Sequence, residues 1–221
     1  MSKVKENSIV LEALLTVFTV EKGKLKVLLE RKKEDPYKGY WVLPNKIVEE
    51  CSLDNTVDRI VNDQIGVDMS YLEQNYTFSD VDRVFDERVV STSYIGLIDS
   101  KSYEIKKNKI KDIEKDWFSI DEIPKMAYDH KKIIEKSILK LKNILVNTSV
   151  LKLLFPSDFT LPELQSVYET VMDVKLDRRN FRKKFISFGL IEDTGYNSAG
   201  FSGRPAKLYR FKEDIRNINL F

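Results

Sequence analysis

The segment LPNKIVEECSLDNTVDRIVNDQIGV, residues 43 to 67, ends in Arg59-Ile60-Val61-Asn62-Asp63-Gln64-Ile65-Gly66-Val67 and has the outline of a metal-binding enzyme motif. Positions 60, 63 and 64 fall on one side of a helix, because residues three and four apart are neighbours on its surface. Carboxylates there would hold divalent cations and activate water. This chain places an isoleucine, an aspartate and a neutral amide at those positions, so Asp63 is the acid that remains. Such a site holds magnesium poorly. No metal, no cofactor and no catalytic residue is expected here.

A second set of residues suits a polyanion. Between Lys175 and Lys212 stand ten cations and three anions, on a chain whose formal net charge is +2. A charge cluster alone is usually a solvated face, so the elements that carry it decide its meaning. Arg178, Arg179, Arg182 and Lys183 crowd one short stretch, where their donors suit phosphates or guanine edges, and Asn180 suits adenine. Arg204 and Lys207 flank a loop that can lie along backbone phosphates.

With 221 residues, 42% hydrophobic and 33% charged, the chain fits one large or two small globular domains. The longest apolar run, SIVLEALLTVFTV, is interrupted by Glu12 and is too short to span a bilayer. The start MSKVKENS lacks the apolar stretch of a secretory signal, and a single cysteine, Cys51, fits a reducing cytoplasm. Cys51 and His130 are too few for a Cys/His zinc site.

Residues 8 to 33 read as two strands, SIVLEALLTVFTV and LKVLLERKK, joined by the turn EKGK. Residues 52 to 65 read as a helix capped by Ser52, with Leu53, Val57, Ile60, Val61 and Ile65 at helical spacing. Residues 87 to 98 read as a strand, and 116 to 125 as a strand running into a short helix. From Asp129 to Leu145, the residues Ile133, Ile134, Ile138, Leu141 and Leu145 share one helix face. Strands dominate before this helix and basic helices after it, which places a domain boundary near Asn147, between residues 1–147 and 148–221.

In the second half, Thr160 and Glu163 have capping-box spacing, followed by the apolar face Leu164, Val167, Tyr168 and Val171. Asp177 caps a second helix, RRNFRKKFISFG, whose Phe181, Phe185 and Phe188 face one way while Arg179, Asn180, Arg182 and Lys183 face broadly the other. Gly189 ends it, and LIEDTG and AKLYRF read as two strands joined by a loop. Helix, short turn, basic helix and β-ribbon in series make a winged helix-turn-helix, which favours DNA over mere solvation for the basic face.

Residues 43 to 67 resemble the Nudix box. Arg59 and Gly66-Val67 are kept, while Asn45 stands for its glycine, Cys51 and Ile60 for glutamates, and Asp63-Gln64 for its glutamate pair. Glu49 or Glu50 can substitute at Cys51; nothing replaces the acid at Ile60. LLERKK and GYWVLPNK resemble the Nudix entrance, with Asn45-Lys46 near the usual Gly-Gly. TFSDVDRVFDERVVSTSY, AYDHKKIIEKSILKLK, FTLPELQSVYETVM, LDRRNFRKKF, GLIEDTG and GRPAKLYRF are similar to the NrtR-like family of Nudix-related transcriptional regulators, over nearly the whole chain. The resemblance implies an α+β fold: a Nudix α/β/α sandwich with a mixed sheet, followed by a winged helix-turn-helix. It implies a homodimer that binds a palindromic double-stranded DNA operator, without membrane contact, under control of a small-molecule effector. That effector would be ADP-ribose or a related nucleotide for members controlling NAD biosynthesis, and a pentose sugar for other branches.

The effector-binding candidates are Arg31, Trp41, Asn45, Lys46, Asp82, Arg83 and Arg88. Lys46 reads either as a phosphate contact or as a solvated lysine. Trp41 reads either as a stacking platform or as core. Asp82-Arg83 follow the family's Asp-Arg signature, and His130, in its Asp-His signature, reads as a capping or packing residue. Arg59 and Asp63 read as a surface ion pair, and Cys51 as a small loop residue. Asn and Lys in place of two glycines narrow the site, which leaves the effector open. Two other readings compete: an active Nudix hydrolase of ADP-ribose-like diphosphates with an accessory DNA-binding domain, and a module whose winged helix meets a protein. The missing acids weigh against the first. Strongly salt-dependent DNA binding would exclude the second.

Overall fold

The computed structural model describes residues 8–85, 87–98, 114–145, 148–155, 158–198 and 205–212. Its organising element is strand β1 (Val10–Glu21), whose Ala13, Leu14, Leu15, Val17 and Phe18 are all fully buried. A strand covered on both faces has no solvent side, which is why this segment is apolar nearly throughout instead of alternating. β1 pairs antiparallel with β2 (Lys24–Arg31) and parallel with β6 (Val89–Leu97), so the sheet is mixed. β3 (Trp41–Val42), β2, β1, β6 and β5 (Tyr71–Phe78) lie in that order; β4 (Asn45–Ile47) pairs with β1, and β7 (Lys115–Ser119) with β2.

The period of two sorts the side chains between layers. Leu14 and Phe18 join a cluster with Ile133, Ile134 and Leu141 of α2 (His130–Leu145). Ala13, Leu15 and Val17 join the opposite cluster with Val57, Ile60 and Ile65. Val57 belongs to α1 (Leu53–Arg59), capped by Ser52, whose Oγ accepts the Asn55 N–H at 3.2 Å. The regular helix expected to residue 65 changes at Ile60–Ile65 into a π-helical stretch. That widening brings residues five apart onto one face, and Ile60, Val61 and Ile65 are all buried there, so position 60 faces the core while Asp63 is exposed, and the two do not share one side as regular helical spacing predicts. Gly66 closes it with φ +72°, its N–H reaching Val61 O at 2.6 Å.

The second half is built from α3 (Thr148–Leu154), β8 (Phe159–Thr160), α4 (Leu161–Met172), α5 (Arg178–Ser187), β9 (Ile191–Asn197) and β10 (Lys207–Phe211). The expected capping box is present: Glu163 Oε2 accepts the Thr160 N–H at 2.7 Å and Thr160 Oγ1 accepts the Glu163 N–H at 3.4 Å. Asp177 caps α5 by accepting the N–H groups of Arg179 and Asn180, at 3.1 and 2.9 Å. The three strands, in the order β8-β10-β9, make the wing.

Two further expectations are corrected, and two elements are added. Residues 116–125 form β7 and then turns, without the short helix, because Ser119 Oγ and Ser119 O accept the N–H groups of Asp121 and Glu122 and Pro124 follows. Phe188 leaves the apolar face of α5; it lies at the helix end, 43% exposed, before Gly189 at φ +64°. β5 and α3 were not anticipated. β5 is an edge strand with Glu73, Gln74 and Asn75 in its middle, and it lacks an apolar alternation.

The two halves are in contact. One apolar cluster runs from Phe18 and Leu25 to Leu161, Leu164 and Phe185, and β2 packs against α4. At the β1–β2 turn, Gly23 has φ +71°, and a Cβ on it would lie 3.2 Å from Glu163 Cα, so glycine suits both the backbone and the close approach. Lys142 Nζ adds a bond to Met172 O at 2.9 Å.

Candidate functional site

A cleft of about 1060 Å³ opens beside the first residues of β1 and β6. The loop after β5 and the start of α2 supply its walls, among them Asp82, Arg83, Arg88 and Lys132, with the aromatic residues Tyr37, Phe85 and Tyr128. Arg83 holds this wall to α2. Its guanidinium donates to Asp129 Oδ2 at 3.0 Å and Oδ1 at 2.8 Å, and to the hydroxyl of Ser91, which in turn donates to Glu12. Burial raises the Glu12 pKa, opposed by the Ser91 hydrogen bond and the Arg83 charge. Arg88 ties the loop from the other end, donating to the carbonyls of Ser79 and Asp80 at 2.9 and 3.2 Å.

A smaller cavity of about 230 Å³ shares Val84, Glu87 and Tyr128 with the cleft and adds Asn45, Lys32 and His130. His130 is a packing residue, as expected. Burial, with the nearby Arg83 charge, pushes its pKa down to about 3, so the ring is neutral and Nδ1 accepts the Leu43 N–H at 3.0 Å. Tyr37 and Tyr128 meet edge to face at 5.0 Å, each with a positive φ, 70° and 53°. Non-glycine residues held in that region mark places where the surrounding structure imposes the backbone.

The cleft thus gathers Asp82, Arg83 and Arg88, with Asn45 next door, and leaves three candidates outside its lining. Arg31 pairs with Glu114 at 3.1 Å on the surface. Trp41 packs edge-on against Phe118 at 4.6 Å. Lys46 alternates with Asn45 and Ile47 along β4, so it points to the α1 side, where its Nζ lies 2.9 Å from Asp63 Oδ2. Asp63 therefore pairs with Lys46 and not with Arg59. Near it, Gln64 Nε2 donates to Asn45 O at 2.8 Å. Cys51 Sγ lies 3.2 Å from Thr56 Oγ1.

A buried pair, Lys115 and Glu30, completes this side: the two charged groups are 3.3 Å apart, with side chains 5% and 10% exposed, and Lys115 Nζ also donates to Gln64 O. Burial pushes Glu30 up and Lys115 down, against their mutual attraction. Sequence reading found neither this pair nor the aromatic wall. Glu30 and Lys115 meet through the β2–β7 register, and no local spacing announces such a meeting.

The second site is the outer face of α5. Phe181 and Phe185 are buried, while Arg178, Arg179, Asn180, Arg182 and Lys183 are exposed. None of these four cations has an ion-pair partner among the described residues. On the wing, Lys207 pairs across the strands with Asp193 at 2.6 Å and Arg210 with Asp158 at 3.0 Å. Arg204 lies outside the described residues.

Residues 12–137 match the NUDIX domain family and residues 151–211 the NrtR DNA-binding winged helix domain family. The ADPR responsive transcriptional repressor NtrR of Acinetobacter baylyi is 30% identical over 203 residues, 89% of this chain and 80% of that protein. The crystal structure of Shewanella oneidensis NrtR complexed with a 27mer DNA is similar with a TM-score of 0.72 at 29% identity, covering 94% of this chain and 99% of that one. The NUDIX domain of the same Shewanella protein complexed with ADP ribose covers 64% of this chain and 94% of its own, with a TM-score of 0.55 at 26% identity. With a NUDIX domain leading into an NrtR winged helix, and a relative matched along most of its length, the chain belongs to the NrtR-like family of Nudix-related transcriptional regulators.

Proposed function

We propose that this chain is an ADP-ribose-responsive transcriptional repressor of the cytoplasm, with residues 1–147 as sensor and 148–221 as DNA reader. As a homodimer it places two α5 helices in successive major grooves of a palindromic operator. Arg179, Asn180 and Arg182 reach base edges, while Arg178, Lys183 and Arg204 meet phosphates; Lys207, expected among them, is instead held by Asp193. The observation that carries the reading is the division of α5: an apolar face anchored in the protein by Phe181 and Phe185, and an outer face where Arg178, Arg179, Arg182 and Lys183 form no ion pair among the described residues.

The effector enters the cleft bounded by Asp82, Arg83 and Arg88 and is held there without being cut. One acid, Asp63, remains of the set that a hydrolase of this fold uses, which weighs against an active hydrolase with an accessory DNA-binding domain. Retaining the pocket while losing the acids turns occupancy into a signal. Binding biases the spacing of the two α5 helices through its different affinity for the two arrangements.

The test is fluorescence anisotropy of the full chain with DNA from upstream of its own gene. Operator affinity should fall steeply with salt, and ADP-ribose should release the DNA. Salt-insensitive binding would refute the DNA assignment. Release by a pentose and not by ADP-ribose would refute the effector.

A further inference from the structure

We infer that Lys46 and Lys115 have taken the place of the divalent cation on the α1 side of the sheet: their ammonium groups neutralise the carboxylates around the 60–66 turn, and this site accepts no metal ion. The inference deepens the non-hydrolytic reading above and rests on it.

The three positions of the 60–66 turn that would supply metal ligands are each accounted for by their surroundings. Ile60 is fully buried in the apolar cluster with Val57 and Ile65, so an acid there would enter the core, not a metal site. Asp63 is held by Lys46 Nζ at 2.9 Å. Gln64 offers a neutral amide whose Nε2 is engaged by Asn45 O at 2.8 Å, and its Oε1 is buried without a hydrogen-bond partner, a poor substitute for an anionic ligand. Glu30, the next carboxylate inward, is paired with Lys115 at 3.3 Å, and Lys115 Nζ also donates to the Gln64 carbonyl. Two carboxylates face two ammonium groups, so the cluster is neutral before any ion arrives. A hard divalent cation needs several anionic oxygens and would meet a positive charge beside each one. Among the described residues no group of three or more His, Cys, Asp or Glu side chains has the arrangement to hold a metal.

The test uses the full chain and manganese(II), read by the loss of the free-ion electron paramagnetic resonance signal. Wild type should leave the ion free. Lys46→Ala with Gln64→Glu, which releases Asp63 and adds a neighbouring carboxylate, should bind manganese at least roughly tenfold more tightly, because affinity follows the charge count of the ligands. Lys46→Gln alone, which leaves the Gln64 bond in place, should move uptake in the same direction. Isothermal titration of ADP-ribose into wild type should yield the same affinity in EDTA as in magnesium. Stoichiometric manganese uptake by wild type would overturn the inference. So would a tenfold loss of ADP-ribose affinity in EDTA, or variants with unchanged circular dichroism melts that take up no more manganese than wild type. Failure of ADP-ribose to act on operator binding would sink the effector reading and leave the manganese result standing.

Discussion

Two helical segments of this protein carry charge where a ligand would meet it, and they treat that charge in opposite ways. Around the 60–66 turn, Asp63 is paired with Lys46, and the Lys115–Glu30 pair is buried behind it. On α5, Arg178, Arg179, Arg182 and Lys183 stand exposed with no ion-pair partner among the described residues. Charge neutralised within the chain has little left to offer a partner. Charge kept unpaired on one face, over an apolar anchor, is available to DNA phosphates, whose counterions it displaces. The first segment keeps the frame of an enzyme motif without its electrostatics; the second has the electrostatics of a groove reader.

The largest effect expected from breaking this contrast is at Lys115. Lys115→Ala strands the Glu30 carboxylate in the interior, and chemical denaturation should register a loss of about 3–5 kcal/mol. A loss below 1 kcal/mol would mean that Glu30 is already neutral and that the pair does not neutralise the site. On the other segment, Arg179→Ala with Arg182→Ala should lower operator affinity by roughly 1–3 kcal/mol per contact, with an unchanged melting temperature and a shallower salt slope. Unchanged affinity would refute the assignment of α5 as the reader.

His130 tests the cleft side. Its folded pKa, about 3, lies below the ordinary histidine value, so the unfolded chain binds the extra proton first as pH falls. Its neutral form adds no penalty above pH ~6.5, and stability is lost from there down to pH ~3, by at most about 1.4 kcal/mol per pH unit. His130→Gln should flatten that slope between pH 6.5 and 4 in parallel denaturation series; equal slopes would contradict the burial argument. The smallest effect is at the cap of the reader: Asp177→Ala should cost about 1 kcal/mol, seen as a lower melting temperature.

The parts that sequence reading anticipated are those whose physics is local. Thr160 with Glu163, and Asp177 with the N–H groups that follow it, act within one turn, and both caps form as expected. β1 was legible because a strand buried on both faces carries an unmistakable apolar run. The misses are of another kind. β5 lies at the sheet edge and tolerates Glu73, Gln74 and Asn75, so it carries no alternation to read. The π-helical stretch depends on a five-residue bond from Gly66 N to Val61 O, which helical periodicity does not encode. In the candidate sites, the exposed cations of α5 could be read from their spacing, because one helix displays them all. The partners of Lys46, Arg83 and Lys115 could not, since strand register and the α2 docking bring Asp63, Asp129 and Glu30 to them.

The most direct measurement combines both regions in one vessel: full-length protein on labelled operator, with magnesium and a limiting amount of ADP-ribose, followed by anisotropy while AMP is assayed by chromatography. The account predicts that the DNA is released and stays released, with no AMP above a protein-free control. AMP accumulating while the operator is bound again would show that the ligand is being consumed, and would contradict it.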